Sequence, residues 1–197
     1  MSSKTPKGPD NVTRNLVIGM VALVVAVGAI FSVISNRENT AAALPSSVSQ
    51  DDGYGIVFNG DLTGVPVVDI WEDFQCPACA RFEEASGSAI QGLIDAGKVR
   101  VEYRPTIFLD KNLLSSNTAA GNPNSSQRAT MAFGCAVDAN AADKYHAGVF
   151  ANQPAEEGTG FSNETLISIA ESSGITGDAL TTFTDCLTSE KYAGWVA

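Results

Sequence analysis

Val67-Val68-Asp69-Ile70-Trp71-Glu72-Asp73-Phe74-Gln75-Cys76-Pro77-Ala78-Cys79 is the stretch on which the reading of this chain turns. Its opening residues are too apolar and β-branched for a surface loop and read as a mostly buried central strand. From Cys76 onward the apolar residues Cys79, Phe82, Ala89, Ile90, Leu93 and Ile94 recur at helical spacing, and Gly97 is a natural stop, so a helix is predicted over residues 76–96. The two cysteines therefore stand where a strand ends and a helix begins. A thiol attacks only as its thiolate, and the unpaired amides and dipole of a helix N-terminus stabilise that anion. Cys76 is the candidate nucleophile, and Cys79, one turn on and tucked toward the core, is its partner. Pro77 falls in the first helical turn, where its fixed φ is already helical and its missing donor costs nothing, so the turn that presents Cys76 is stiff. Pro77 and Ala78, the residues between the cysteines, are expected to tune the pair.

Working outward, residues 54–59 form a short strand candidate that precedes the decisive one. Residues 98–108 alternate Val99, Val101 and Tyr103 against Arg100, Glu102 and Arg104, the pattern of a half-buried strand. Beyond Phe108 the texture changes to a polar loop through residues 117–123 and then to helix signals alone. Asn124 or Ser125 caps a helix carrying Ala129, Ala132, Phe133 and Ala136; Tyr145, Val149 and Phe150 mark another, followed by a loop at 153–160. Ser162 opens a helix with Leu166, Ile169 and Ala170, Asp178 caps one with Leu180, Phe183 and Leu187, and residues 190–197 read as helical. The fold class is α/β, with a helical insertion at about 115–197.

Composition places this domain relative to a membrane. Residues 16–34 are uncharged, and nineteen residues at ~1.5 Å each match a hydrocarbon core of roughly 30 Å, so residues 16–35 are expected to be a single transmembrane helix. Lys4, Lys7 and Arg14 precede it and only Arg37 follows closely, which leaves the tail 1–15 in the cytoplasm and sends the rest outside. A cleaved signal peptide ending near Ala41-Ala42-Ala43 is the rival, but the apolar run exceeds the ~7–15 residues usual for one. Residues 36–53 read as a flexible linker. Beyond residue 40 there are eight Lys/Arg against twenty Asp/Glu, a formal charge of −12 that repels nucleic acid and excludes it as a partner.

Outside the membrane disulfides persist, and an even count of four cysteines suits two bridges. Cys135 and Cys186, if joined, close a loop of 52 residues and act as a structural staple; a second redox pair is the alternative, although the two lack a short-spacing motif. His146, the only histidine, has no Cys/His cluster near it in sequence and is read as structural or surface, so no metal is expected.

The motif from Val67 to Cys79, together with Tyr103-Arg104-Pro105 and the helical insertion after that strand, resembles the DsbA-like thiol-disulfide oxidoreductases of the thioredoxin superfamily, in particular membrane-tethered actinobacterial members. The resemblance covers residues 54–197. It implies a thioredoxin-like fold and a mixed disulfide formed by the first cysteine and resolved by the second, which map onto Cys76 and Cys79. It implies no cofactor, cysteine-bearing exported client proteins, and a membrane partner for reoxidation. Some such members carry an additional disulfide in the helical part, where Cys135 and Cys186 stand. Related folds often keep a buried acid near the dithiol; Asp69 and Glu72 are the candidates, and otherwise Asp69 is a satisfied strand residue and Glu72 is solvated. The family returns from the helical insertion into two more strands and a final helix, which do not follow Cys186 here, and Pro105, Pro123 and Pro154 are not placed to be its cis-proline. A truncated sequence is therefore expected, with residues 54–197 poorly stable alone. A reductase or isomerase of the same fold, or a non-catalytic module stapled by Cys76 and Cys79, is the alternative function.

Overall fold

A computed structural model of the chain describes residues 42–49 and 54–196, with residues 15–16, 18–20 and 23 near the N-terminus. The chain divides into two units, Met1–Ala41 and Ala42–Ala197. In the first, the described residues are helical. The rest of the expected anchor at 16–35 lies outside the described residues, and among the described residues no helix is long and apolar enough to cross a membrane.

The second unit opens with β1 (Ile56–Phe58), β2 (Val67–Glu72) and β3 (Arg100–Pro105), ordered β1-β3-β2, with β1 antiparallel and β2 parallel to β3. Parallel neighbours require a long crossover, and here it is one run of helix: α1 (Pro77–Phe82), a π-helical turn at Glu83–Gly87 and α2 (Ser88–Asp95). The run ends at Gly97, whose φ of 62° lets its amide and that of Lys98 turn back onto the carbonyls of Ile94 and Leu93, both at 2.9 Å.

Two strand expectations are corrected. The central strand is β3; β2 is an edge among the described residues, with Val67 and Trp71 55 % and 67 % exposed. Its apolar run, read as burial on both faces, fills one face only, where Ile70 packs beside Tyr103. Conversely, the polar face of β3 is not solvated. Glu102 accepts from Arg100 at 2.5 Å and from Arg104 at 2.6 Å, and Arg104 reaches across to Asp69 at 2.7 Å while its guanidinium lies 5.5 Å from the Trp71 ring centre. Alternation alone cannot tell a solvated face from one whose charges bury each other.

The helical layer comprises α3 (Phe108–Ala119), α4 (Ser125–Asp138), α5 (Ala142–Ala151), α6 (Asn163–Ser172), α7 (Asp178–Thr188) and α8 (Ala193–Val196). It begins earlier than the expected 115, because α3 stands where a change to loop was read; its sequence FLDKNLLSSNTA is too polar to show an apolar stripe. Helix α4 is buried on almost every side and is the axis around which the others pack. Its start is not capped by Asn124, which is left-handed with φ 52°, nor by Ser125. The carboxylate of Asp110 takes that place, accepting from the amides of Ser126 and Gln127 at 2.8 Å each. Ser162 caps α6 as expected, accepting from the Thr165 amide at 3.1 Å, whereas α7 is preceded by Gly177, with Asp178 its first residue.

Residues 42–49, expected within the flexible linker, lie against the domain. Val48 bridges Ile56, the Val57 amide donates to Ser47, and the Ser46 amide donates to Asp138. Gly134 of α4 makes room for them, since a Cβ there would meet Pro45 and Tyr192 at 2.9 Å. Cys135 of α4 and Cys186 of α7 form a disulfide. Burial pushes the Asp138 carboxyl up, but donation from Lys191, Tyr192 and Ser46 outweighs it and holds the group below the ordinary range.

Breaking the staple as Cys135→Ala/Cys186→Ala is expected to destabilise the domain by up to ~4 kcal/mol, the loop-closure entropy of its span, read as a lower urea midpoint with a larger m-value, because the freed unfolded chain exposes more surface. Asp138→Asn is expected to weaken stability at neutral pH. Because the folded pKa is depressed, that difference is full above the ordinary 3.8 and closes as pH falls through the lowered value, which urea melts of both proteins at several acid pH values will show.

Candidate active site

Strand β2 delivers the chain into the bend 73–76, and Cys76 is the residue at which helix begins, with φ −78° and ψ 117°. Its amide donates to the Asp73 carbonyl at 2.8 Å, its carbonyl accepts the first helical bond from Ala80 at 3.0 Å, and Pro77 holds the first helical position. Cys76 and Cys79 are free thiols, both half-buried, with Pro77 and Ala78 exposed between them. Cys79 packs against the core. Burial, foremost, pushes its thiol up to about 12; its hydrogen bond with Cys76 and the charges of Cys76 and Glu72 push the same way, against a backbone hydrogen bond from Asp73. At neutral pH Cys79 therefore keeps its proton and directs it toward its partner. Cys76, at the open end of the helix, is the sulfur placed to exchange with another thiol.

The residues just before the dithiol do more than link strand to helix. The Asp73 carboxylate, wholly buried, accepts from the Gln75 amide at 2.9 Å, the Ser126 hydroxyl at 2.6 Å and the Leu109 amide at 3.0 Å. Burial raises its carboxyl above the ordinary range, although the bonds from Ser126, Gln75 and Leu109 pull it back. The Gln75 side chain donates to Asp110 and Ser126 and accepts from Asn117 at 2.9 Å. Gln153 donates to the Phe74 carbonyl at 2.8 Å, and Phe74 is buried against Phe133 and Phe150. The bend that presents the thiols is thus pinned to α3, α4 and the loop after α5. Asp73, Gln75, Asp110, Asn117 and Ser126 were not singled out from sequence; the signal available was a bend of polar residues wedged between two apolar segments.

Of the two acids expected near the dithiol, Asp69 points to the outer face and pairs with Arg104, away from the thiols. Glu72, whose solvated reading is corrected, is 3 % exposed on the core face. It is paired with His146 Nε2, so the histidine is internal, and the Glu83 carboxylate lies 3.9 Å from His146 Nδ1. The imidazole is boxed by Tyr103, Phe150, Phe133 and Phe74, with ring centres 4.3–5.8 Å away. Burial raises the Glu83 carboxyl, His146 opposing and Glu72 reinforcing the shift. A cleft of about 800 Å³ runs beside Pro77, Glu83 and Gln91 on one wall and Lys144, His146 and Gln153 on the other. Every peptide bond among the described residues is trans.

A thioredoxin family model matches residues 53–197. The chain belongs to the thioredoxin family. Within it, the chain resembles DsbA of Mycobacterium tuberculosis, at 33 % identity over 78 % of this chain and 71 % of that one, with a TM-score of 0.56. The disulfide bond oxidoreductase DsbG of the same organism gives 31 % identity, coverage of 78 % and 67 %, and a TM-score of 0.55. MdbA of Actinomyces oris, a thiol-disulfide oxidoreductase, shares the fold at 20 % identity, with coverage of 81 % and 74 % and a TM-score of 0.60. No curated protein matches. This thioredoxin-family chain is a thiol-disulfide oxidoreductase of the DsbA type.

In the reduced protein, iodoacetamide at neutral pH is expected to label Cys76 alone, with Cys79 becoming reactive only as pH approaches about 12. Peptide mass spectrometry across a pH series checks this; equal labelling of both sulfurs at pH 7 contradicts the assigned order.

Proposed function

We propose that this chain is an extracytoplasmic oxidant, anchored by residues 16–35, that donates its Cys76–Cys79 disulfide to exported proteins. A client thiolate attacks the Cys76 sulfur, forming a mixed disulfide as the Cys76–Cys79 bond breaks and Cys79 leaves and takes up a proton. A second client thiolate then attacks the client's own sulfur in that bond, closing the client disulfide and releasing Cys76 as thiolate. The client loses two electrons and the chain gains them, and a membrane partner removes them to restore the disulfide.

The observation that carries this direction is the unequal dithiol. Cys79 holds its proton and donates it in a hydrogen bond to Cys76 at the helix opening, an interaction that only the reduced form can make. Stabilising the reduced form makes a disulfide a stronger oxidant. The placement outside the membrane rests on the apolar run, the Lys/Arg asymmetry around it, and the Cys135–Cys186 disulfide, which suits an oxidising compartment.

The test is the reduction potential of the full chain equilibrated with glutathione. A value well above the roughly −270 mV of thioredoxin is expected, and one as low as that leaves a reductase instead. Cys79→Ala, whose Cys76 can attack but has no second sulfur to resolve the bond, is expected to accumulate a mixed disulfide when mixed with a disulfide-bearing peptide, the peptide's other sulfur leaving as thiol, and Cys76→Ser to form none; a Cys76→Ser protein that still oxidises a dithiol peptide would overturn the assignment.

A further inference from the structure

Behind the dithiol, on the core face of the sheet, the side chains of Glu72, Glu83 and His146 converge, one ligand-type atom from each lying within 4.8 Å of the others. They come from three elements: the end of β2, the π-helical turn after α1, and α5. Their side chains are 2 %, 7 % and 4 % exposed. Two buried carboxyl groups face a single imidazole, which cannot satisfy all of their oxygens. Glu72 Oε2 and Glu83 Oε1 are buried with no hydrogen-bond partner. A buried carboxylate oxygen without a partner is costly, and such groups are ordinarily paired or bound to a cation.

We propose that Glu72, Glu83 and His146 form a binding site for one divalent transition cation of the Zn²⁺ class. One imidazole nitrogen with two carboxylates is a donor set that suits Zn²⁺, Co²⁺ or Mn²⁺, and Ca²⁺ much less, since Ca²⁺ takes six to eight oxygens. The ion's two positive charges match the two carboxylates. Three protein ligands leave positions for water, and the cleft that Glu83 and His146 line is the way in. The aromatic box around His146 fixes the ring as an outer shell does in metal sites. A bound ion would fasten the end of β2, the helix that bears the thiols, and α5 at one point. The site uses neither cysteine, so it stands or falls apart from the oxidant reading.

The experiment uses the full chain in its oxidised form, so that no thiolate competes, stripped of metal by chelation and titrated with Co²⁺ and then Zn²⁺. One equivalent of Co²⁺ is expected to produce visible d–d bands without a thiolate charge-transfer band, and Zn²⁺ to displace it. His146→Gln and Glu83→Gln are each expected to weaken binding by more than the ~10- to 100-fold lost when an outer-shell partner is removed, and the exposed neighbour change Glu84→Gln to leave it unaltered. Since His146 is the only histidine, its imidazole resonances in the wild-type protein report on the site without any substitution, and they are expected to shift in step with one equivalent of Zn²⁺. Imidazole signals that stay put, an absence of Co²⁺ or Zn²⁺ uptake, or uptake that persists in folded His146→Gln and Glu83→Gln proteins would overturn the proposal.

Discussion

A single buried carboxylate, that of Asp73, joins the strand that delivers the dithiol to the helices that surround it. Burying such a group is costly unless its oxygens are satisfied, and its three donors come from its own bend, from α3 and from α4. The dependence runs both ways. Asp110, which shares the Gln75 amide with this network, is also what caps α4, so the central helix of the helical layer starts where the dithiol bend needs it. A small sheet needs its hydrophobic face covered to be stable, and a 14-residue helix is marginal in water by itself. Each becomes secure by meeting the other at Asp73 and Gln75, and the position of the Cys76 sulfur is inherited from that meeting.

Strand alternation then sorts the charges. Residues 67, 69 and 71 face one way and are matched in register with 100, 102 and 104, which places Asp69 in the ladder with Arg104 and Glu102 and removes it from the chemistry. Residues 68, 70 and 72 face the other way, so Glu72 enters the core beside Tyr103 and His146. Three positions along a strand separate an acid paired with the Arg104 guanidinium from one whose charge reaches Cys79.

How much of this was legible depends on whether the determining interaction was local. The β2–helix–β3 run was read closely, because Pro77 starts the helix, Gly97 ends it, and the apolar spacing between them is periodic. The helices carrying Phe133, Phe150, Leu166 and Phe183 were legible for the same reason, each having an apolar stripe. Helix α3 was not, since it is held by Asp110 and Asn117 bonding to distant residues and not by a stripe of its own. The cap of α4 was misplaced because its real donor of oxygens lies sixteen residues away. The pairing of His146 with Glu72 spans 74 positions and follows no spacing rule, so nothing in the sequence order marks it.

The helix that bears the thiols shows how finely that distant pairing is set. Cys79 and Glu83 are four residues apart, hence neighbours on one helical face, and the π-helical turn begins at Glu83 itself. A π turn inserts a residue into the helical repeat and shifts the faces that follow it, so Glu83 can face α5 below the dithiol while Ile90 and Ile94, farther along, still turn to the core. Gly87 completes the arrangement: a Cβ there would sit 2.7 Å from Glu83 Oε2, so only glycine leaves the carboxylate where it lies. An irregular turn and a residue without a side chain are local costs. Together they hold a second acid against the same imidazole that Glu72 already occupies.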